Sequence, residues 1–130
     1  MKALDTNLLV RIITRDDAGQ TAAVERLLAE PGQTWFVPVT VALELEWVLR
    51  SKYKQRPAVV GEVFDRLIGN AALTMQHEDA LELALDMFAE ESADLADCMH
   101  VALASMAGNL PFVTLDQDAA ELPGAELLQA

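Results

Sequence analysis

The chain has one cysteine, Cys98, which excludes an internal disulfide, a zinc cluster and a Cys-x-x-Cys redox pair. No apolar run approaches the roughly 18 residues that a membrane span requires. The N-terminus, Met1-Lys2-Ala3-Leu4-Asp5, places a carboxylate where a signal peptide needs an apolar stretch. A cytoplasmic protein with no membrane segment is therefore expected. Glycine and proline are sparse, 6 and 5 residues, and they occur singly between periodic segments, so no linker, repeat or low-complexity tract divides the chain. One domain over residues 1–130 is expected. Lysine is absent after Lys54 and arginine after Arg66. Against these shortages stands a hydrophobic fraction of 52%, too high for disorder. The 21 Asp+Glu outnumber the 9 Lys+Arg, for a formal net charge of -12. That charge speaks against holding a polyanion by overall attraction.

Periodicity alternates between strand and helix. Ala3-Leu4 reads as a short strand ending at Asp5, and Asn7 to Thr14 as a helix burying Leu8, Leu9, Ile12 and Ile13. A helix from Thr21 to Glu30 stops before Pro31-Gly32. Trp35-Phe36-Val37 is a strand closed by Pro38; Thr40 then suits the N-cap of a helix from Val41 to Tyr53. Pro57 opens a helix to Ile68, Ala72 to Met75 reads as a strand, and helices follow over His77 to Glu90 and Asp94 to Ala107. Phe112 to Leu115 is the most strand-like run, and a helical turn and a Leu127-Leu128 strand end the chain. Strands separated by helices of ten or more residues need crossover connections. The expected fold is α/β, a three-layer α/β/α sandwich around a central, mostly parallel sheet, with ligands at the carboxyl ends of the strands.

Four acids stand out from the solvated majority. Asp5 and Asp116 terminate the first strand and the strand Phe112 to Leu115, and both should emerge at the carboxyl edge of the sheet. Glu44, three residues after Val41 and four before Val48, falls on or beside the inward face of its helix, and Asp97 shares a helical row with Val101 and Ala104. A solitary Asp at a strand end is ordinarily a turn or helix cap, and Asp94 suits a helix N-terminus. Four such acids without a local Lys or Arg call for a divalent cation. Oxygen ligands favour Mg²⁺ or Mn²⁺ over Zn²⁺.

Leu4-Asp5-Thr6-Asn7-Leu8-Leu9, Glu44 within Thr40-Val41-Ala42-Leu43-Glu44-Leu45, Asp94-Leu95-Ala96-Asp97 and Val113-Thr114-Leu115-Asp116-Gln117-Asp118 together resemble the PIN-domain ribonucleases of the VapC toxin type. Each motif alone is weak, but the ordered set spans essentially the whole chain. The resemblance implies an acidic cluster that binds Mg²⁺ or Mn²⁺ and hydrolyses RNA phosphodiesters, leaving a 5′-phosphate and a 3′-hydroxyl. It also implies a small antitoxin partner and a homodimer. Carried over by motif, Asp5, Glu44, Asp97 and Asp116 are the catalytic metal ligands, with Asp94 and Asp118 as outer members. Thr6, Asn7 and Thr114 would orient the carboxylates. His77 and His100 read as ordinary surface or packed histidines, His100 being one helical turn after Asp97.

Four cations, Arg50, Lys52, Lys54 and Arg56, fall within residues 50–56 together with Tyr53 and no acid. This stretch could hold phosphates and stack an unpaired base, or it could simply be a solvated helix end. Arg11 and Arg15 form a second basic row, suited to RNA, an antitoxin or a second subunit. Of the rival readings, a receiver-like binding module lacks the required acidic pair and late lysine, and a haloacid-dehalogenase-type phosphatase lacks a second Asp at position 7. A catalytically inactive PIN-like scaffold remains the alternative.

Overall fold

The structure, a computed structural model, describes residues 1–129. It divides into two compact units, residues 1–76 and residues 77–130. The first contains β1 (Lys2–Ala3), α1 (Thr6–Thr14), α2 (Ala18–Leu28), β2 (Trp35–Val37), α3 (Val39–Ser51), α4 (Pro57–Ile68) and β3 (Leu73–Met75). The second contains α5 (Glu78–Glu90), α6 (Leu95–Met106), β4 (Phe112–Thr114), α7 (Gln117–Ala120) and β5 (Ala125–Leu127). No described helix is long and apolar enough to cross a membrane.

Every recorded strand pair is parallel, as the long helical crossovers demand. The strands expected in one central sheet are registered as two, β1-β2-β3 in the first unit and β4-β5 in the second. In the first, Trp35 pairs with Lys2 on one side and Leu73 on the other; in the second, Phe112 pairs with Ala125. The fold class is α/β.

Local chemistry sets the element boundaries. α2 starts at Ala18, three residues before the expected Thr21, because the Asp17 carboxylate accepts the Gln20 N–H at 3.0 Å and caps the helix there. α3 starts at Val39, so Thr40 is inside the helix and not its N-cap; Pro38, with extended ψ, fills that place without a side-chain cap. α4 matches its expected bounds, with Pro57 in the first turn, where a missing N–H is harmless. The last strand lies at Ala125–Leu127, upstream of the expected Leu127-Leu128.

Helical periodicity builds each core. In the first unit α1 packs on α2 and α3, and α3 on α4. Leu45 and Leu49 of α3, Leu9 of α1 and Phe64 of α4 are essentially solvent-free. In the second unit α5 packs on α6, burying Leu81, Leu95 and Met99, with the Cys98 thiol among them. Burial pushes that thiol up to about 11, reinforced by Asp94 and Asp97. Cys98 is therefore a packing residue rather than a nucleophile.

Truncating Leu45 leaves a cavity in a site with no exposed surface. Leu45→Ala is expected to destabilise the protein by about 2–5 kcal/mol in urea unfolding.

Candidate active site

In the first unit the motif after β1 forms the start of α1. Asp5 is the N-cap: its Oδ1 accepts the Thr6 N–H at 2.7 Å. Thr6 is buried, and its hydroxyl donates to Oε1 of Glu44, tying the start of α1 to α3 across 38 positions of sequence. Asp5 and Glu44 are thus linked through one threonine, and both carboxylates are exposed. Glu44 does not point into the core as its spacing suggests. The buried stripe of α3 runs through Ala42, Leu45, Glu46 and Leu49, and Glu44 lies outside it. Asn7 is exposed at the mouth of a groove of about 390 Å³ lined by Leu8, Ala23, Val24 and Leu27.

The acid that does enter the α3 stripe is Glu46, which the sequence reading passes over; it is 3% exposed. Its Oε1 accepts from Arg50 Nε at 2.8 Å, one helical turn on. The spacing that could have revealed it is 42, 45, 46, 49, with Arg50 four residues after the acid. This pair gives Arg50 a structural bond to a buried acid. Arg11 and Arg15 are committed in the same way: Arg11 pairs with Asp16 at 3.0 Å, and Arg15 with Glu25 at 2.6 Å. The Tyr53 hydroxyl donates to Asp16 Oδ2 at 2.8 Å. Lys52, Lys54 and Arg56 are exposed, and no ion pair is recorded for them among the described residues.

In the second unit, Asp94 caps α6 by accepting the Asp97 N–H at 3.0 Å, and Asp116 caps α7 by accepting the Ala119 N–H at 2.9 Å. The Asp116 N–H in turn donates to Thr114 Oγ1 at 3.0 Å, so Thr114 braces the strand-to-helix turn that carries the acid. Asp97 is half-buried, while Asp94, Asp116 and Asp118 are exposed. Desolvation holds the Asp97 carboxyl above the usual carboxylate range, and Asp94 and Asp116 push it the same way; His100 acts in the opposite sense. The His100 ring stacks on Phe112 with centroids 5.8 Å apart. His77 is the N-cap residue of α5 in a left-handed conformation and makes no side-chain cap bond.

Asp5, Asp94 and Asp116 are therefore all helix caps, the ordinary role of an Asp after a strand. Capping occupies one carboxylate oxygen and leaves the other available. Among the described residues, no group of three or more His, Cys, Asp or Glu side chains is arranged to hold a metal ion as it stands. Carboxylate oxygens are the ligand type that suits a hard divalent cation, and Asp97 is the one held above the usual range, by desolvation first and by neighbouring acids second.

A family model for the PIN domain matches residues 2–125. The VapC ribonuclease of Aquifex aeolicus is 22% identical over 111 residues, covering 83% of this chain and 82% of that protein. Among solved structures, Mycobacterium tuberculosis VapC20, a sarcin-ricin loop cleaving toxin, is 16% identical with a TM-score of 0.44, covering 97% of this chain and 99% of its own. A toxin-antitoxin complex from Klebsiella pneumoniae gives 20% identity and a TM-score of 0.36, covering 96% and 95%.

The raised Asp97 pKa fixes the sign of a stability effect. Its contribution is fully present below the ordinary carboxylate pKa and is lost as pH rises through the higher folded value. In metal-free buffer Asp97→Asn should therefore melt above wild type at pH 7, and the difference should close in acid below the ordinary carboxylate range. Thermal melts across that pH range check it.

Proposed function

The chain belongs to the PIN-domain family, and on that premise we propose that it is a Mg²⁺- or Mn²⁺-dependent endoribonuclease of the VapC toxin type, acting in the cytoplasm. The observation that carries the proposal is the placement of the four motif acids. Within their own units, Asp5 and Asp116 are fixed as helix caps, Glu44 is gripped by the buried Thr6, and Asp97 is half-buried one turn into the helix that Asp94 caps. Such acids are fixed before any cation arrives, which suits ligands better than surface charges free to separate. The family model extends across both units, which supports reading residues 1–130 as one working PIN domain.

When bound, Mg²⁺ or Mn²⁺ would polarise the phosphoryl group and lower the pKa of water for attack on phosphorus. Asp5, Glu44, Asp97 and Asp116 would hold it, with Asp94 and Asp118 as outer acids. Thr6 keeps one Glu44 oxygen oriented through its hydroxyl, and Thr114 fixes the turn from which Asp116 projects. Lys52, Lys54 and Arg56, for which no ion pair is recorded among the described residues, would offer positive charge to the RNA backbone. Arg11, Arg15, Arg50 and Tyr53 carry less of that role, since each already bonds an acid. An antitoxin is proposed as inhibitor, and the net charge of -12 suits a basic one. A homodimer is proposed as the resting assembly.

Incubation with single-stranded RNA tests the activity. Cleavage should require Mg²⁺ or Mn²⁺, stop in chelator, and fall by about 100-fold or more in Asp5→Asn. Full activity in chelator would overturn the metal mechanism, and no cleavage with any divalent ion would leave an inactive scaffold. Lys52→Glu combined with Lys54→Glu should weaken RNA binding and reduce the log–log salt slope by about 1.4, two phosphate contacts' worth on a single strand. An unchanged slope removes these lysines from the substrate path.

A further inference from the structure

Trp47 is 51% exposed, although tryptophan carries one of the largest apolar surfaces available to a core. It contributes nothing to the buried stripe of α3, which runs through Ala42, Leu45, Glu46 and Leu49. Its place on the helix is what matters. Trp47 is three residues after Glu44, so the two side chains are neighbours on the exposed face, about 4.5 Å apart along the axis. Glu44 is the acid held by Thr6, whose own N–H is bound by Asp5. Beyond the other end of the helix follow the exposed Lys52, Lys54 and Arg56. The helix thus presents an acid and an aromatic plane as neighbours on its exposed face, and the cations follow beyond its C-terminal end.

We propose that Trp47 is a stacking platform for an unpaired base of the RNA next to the phosphate handled at Glu44, and so helps to set where the strand is cut. The inference rests on the ribonuclease reading above. A stacked strand advances about 3.4 Å per nucleotide, so a base lying on Trp47 belongs to a nucleotide about one step from that phosphate. The lysines follow just past the C-terminal end of the helix, where they offer positive charge to the backbone of the same strand. An indole face accepts any base, so the contact favours unpaired strands over duplex without demanding a sequence.

The chain supplies its own control. It has two tryptophans, and the other, Trp35, is 2% exposed. Emission should therefore be measured in chelator, where the RNA stays intact, while titrating a 12-nucleotide single-stranded RNA and, separately, an abasic ribose-phosphate strand of the same length. The expected result is quenching by the RNA and little by the abasic strand, with no response in Trp47→Phe, whose emission comes from Trp35 alone. In cleavage assays Trp47→Ala should raise KM by about 5- to 100-fold with kcat little changed, and Trp47→Tyr should recover most of the loss. If wild type cleaves RNA but Trp47 emission ignores it and Trp47→Ala keeps the wild-type KM, the platform is overturned and the ribonuclease reading stands. If RNA quenches Trp47 but no divalent ion brings cleavage, the platform survives and the ribonuclease reading falls. Emission that follows protein concentration rather than RNA would assign the indole to contact between copies and overturn the proposal.

Discussion

Carboxylates can be crowded together only if something other than the crowd supplies positive charge, and beyond Arg66 this chain has neither lysine nor arginine to do so. The backbone takes over. Asp94 and Asp116 each sit at a helix N-terminus and accept an N–H three residues on, and Asp5 caps α1 by accepting the next N–H. Each cap is worth about 0.5–2 kcal/mol to its helix. Asp97 shows where this compensation runs out. It occupies the third position of α6, inside the reach of the helix dipole, yet partial burial and two neighbouring acids outweigh that help and raise its pKa. Asp97 is thus left short of compensating charge, a condition that a cation would relieve.

Cations in the first unit are divided between two uses. Arg11, Arg15 and Arg50 each bond an acid of their own unit, and in Glu46–Arg50 the acid is buried. That pair is held by necessity more than by profit, since removing Arg50 would strand a desolvated carboxylate in the α3 stripe. The exposed pairs add little stability, about 0–1 kcal/mol each. Their effect is instead to narrow the electrostatic surface: among the described residues no ion pair is recorded for Lys2, Arg26, Lys52, Lys54, Arg56 and Arg66, and three of these fall together at Lys52, Lys54 and Arg56. An acidic protein can meet RNA through such a patch because the Debye length, near 8 Å at physiological salt, confines the repulsion of distant acids.

Elements set by side-chain punctuation were legible in the sequence, and those set by competition between neighbouring signals were less so. α4 was bounded at both ends because Pro57 fixes its first turn and Gly69 follows its last. For α2 two starts competed, and Asp17 won over Thr21 because its carboxylate reaches the Gln20 N–H while the Thr21 hydroxyl bonds back to the Arg11 carbonyl. In α3, Pro38 pre-empted Thr40 as N-cap. The same shift explains the exchange of roles between two acids. Periodicity placed Glu44 at the edge of the inward face and left Glu46 unremarked, whereas the buried stripe includes 46 and excludes 44. A single acid seen in sequence says only that a carboxylate is near a face; which side of the boundary it falls on depends on the partner that packs there.

Thr6 shows how the motif after the first acid serves fold and site with one hydroxyl. It is a buried polar group, and a threonine hydroxyl without a partner there would be costly to desolvate. The available acceptor is Glu44, which gains an orientation while Thr6 gains its bond. Because Glu44 lies off the buried stripe, packing alone would leave its carboxylate free to rotate in solvent. The threonine replaces packing as the constraint. Stability of the α1–α3 contact and placement of the acid are then one requirement, so a change that loosens either is expected to disturb both.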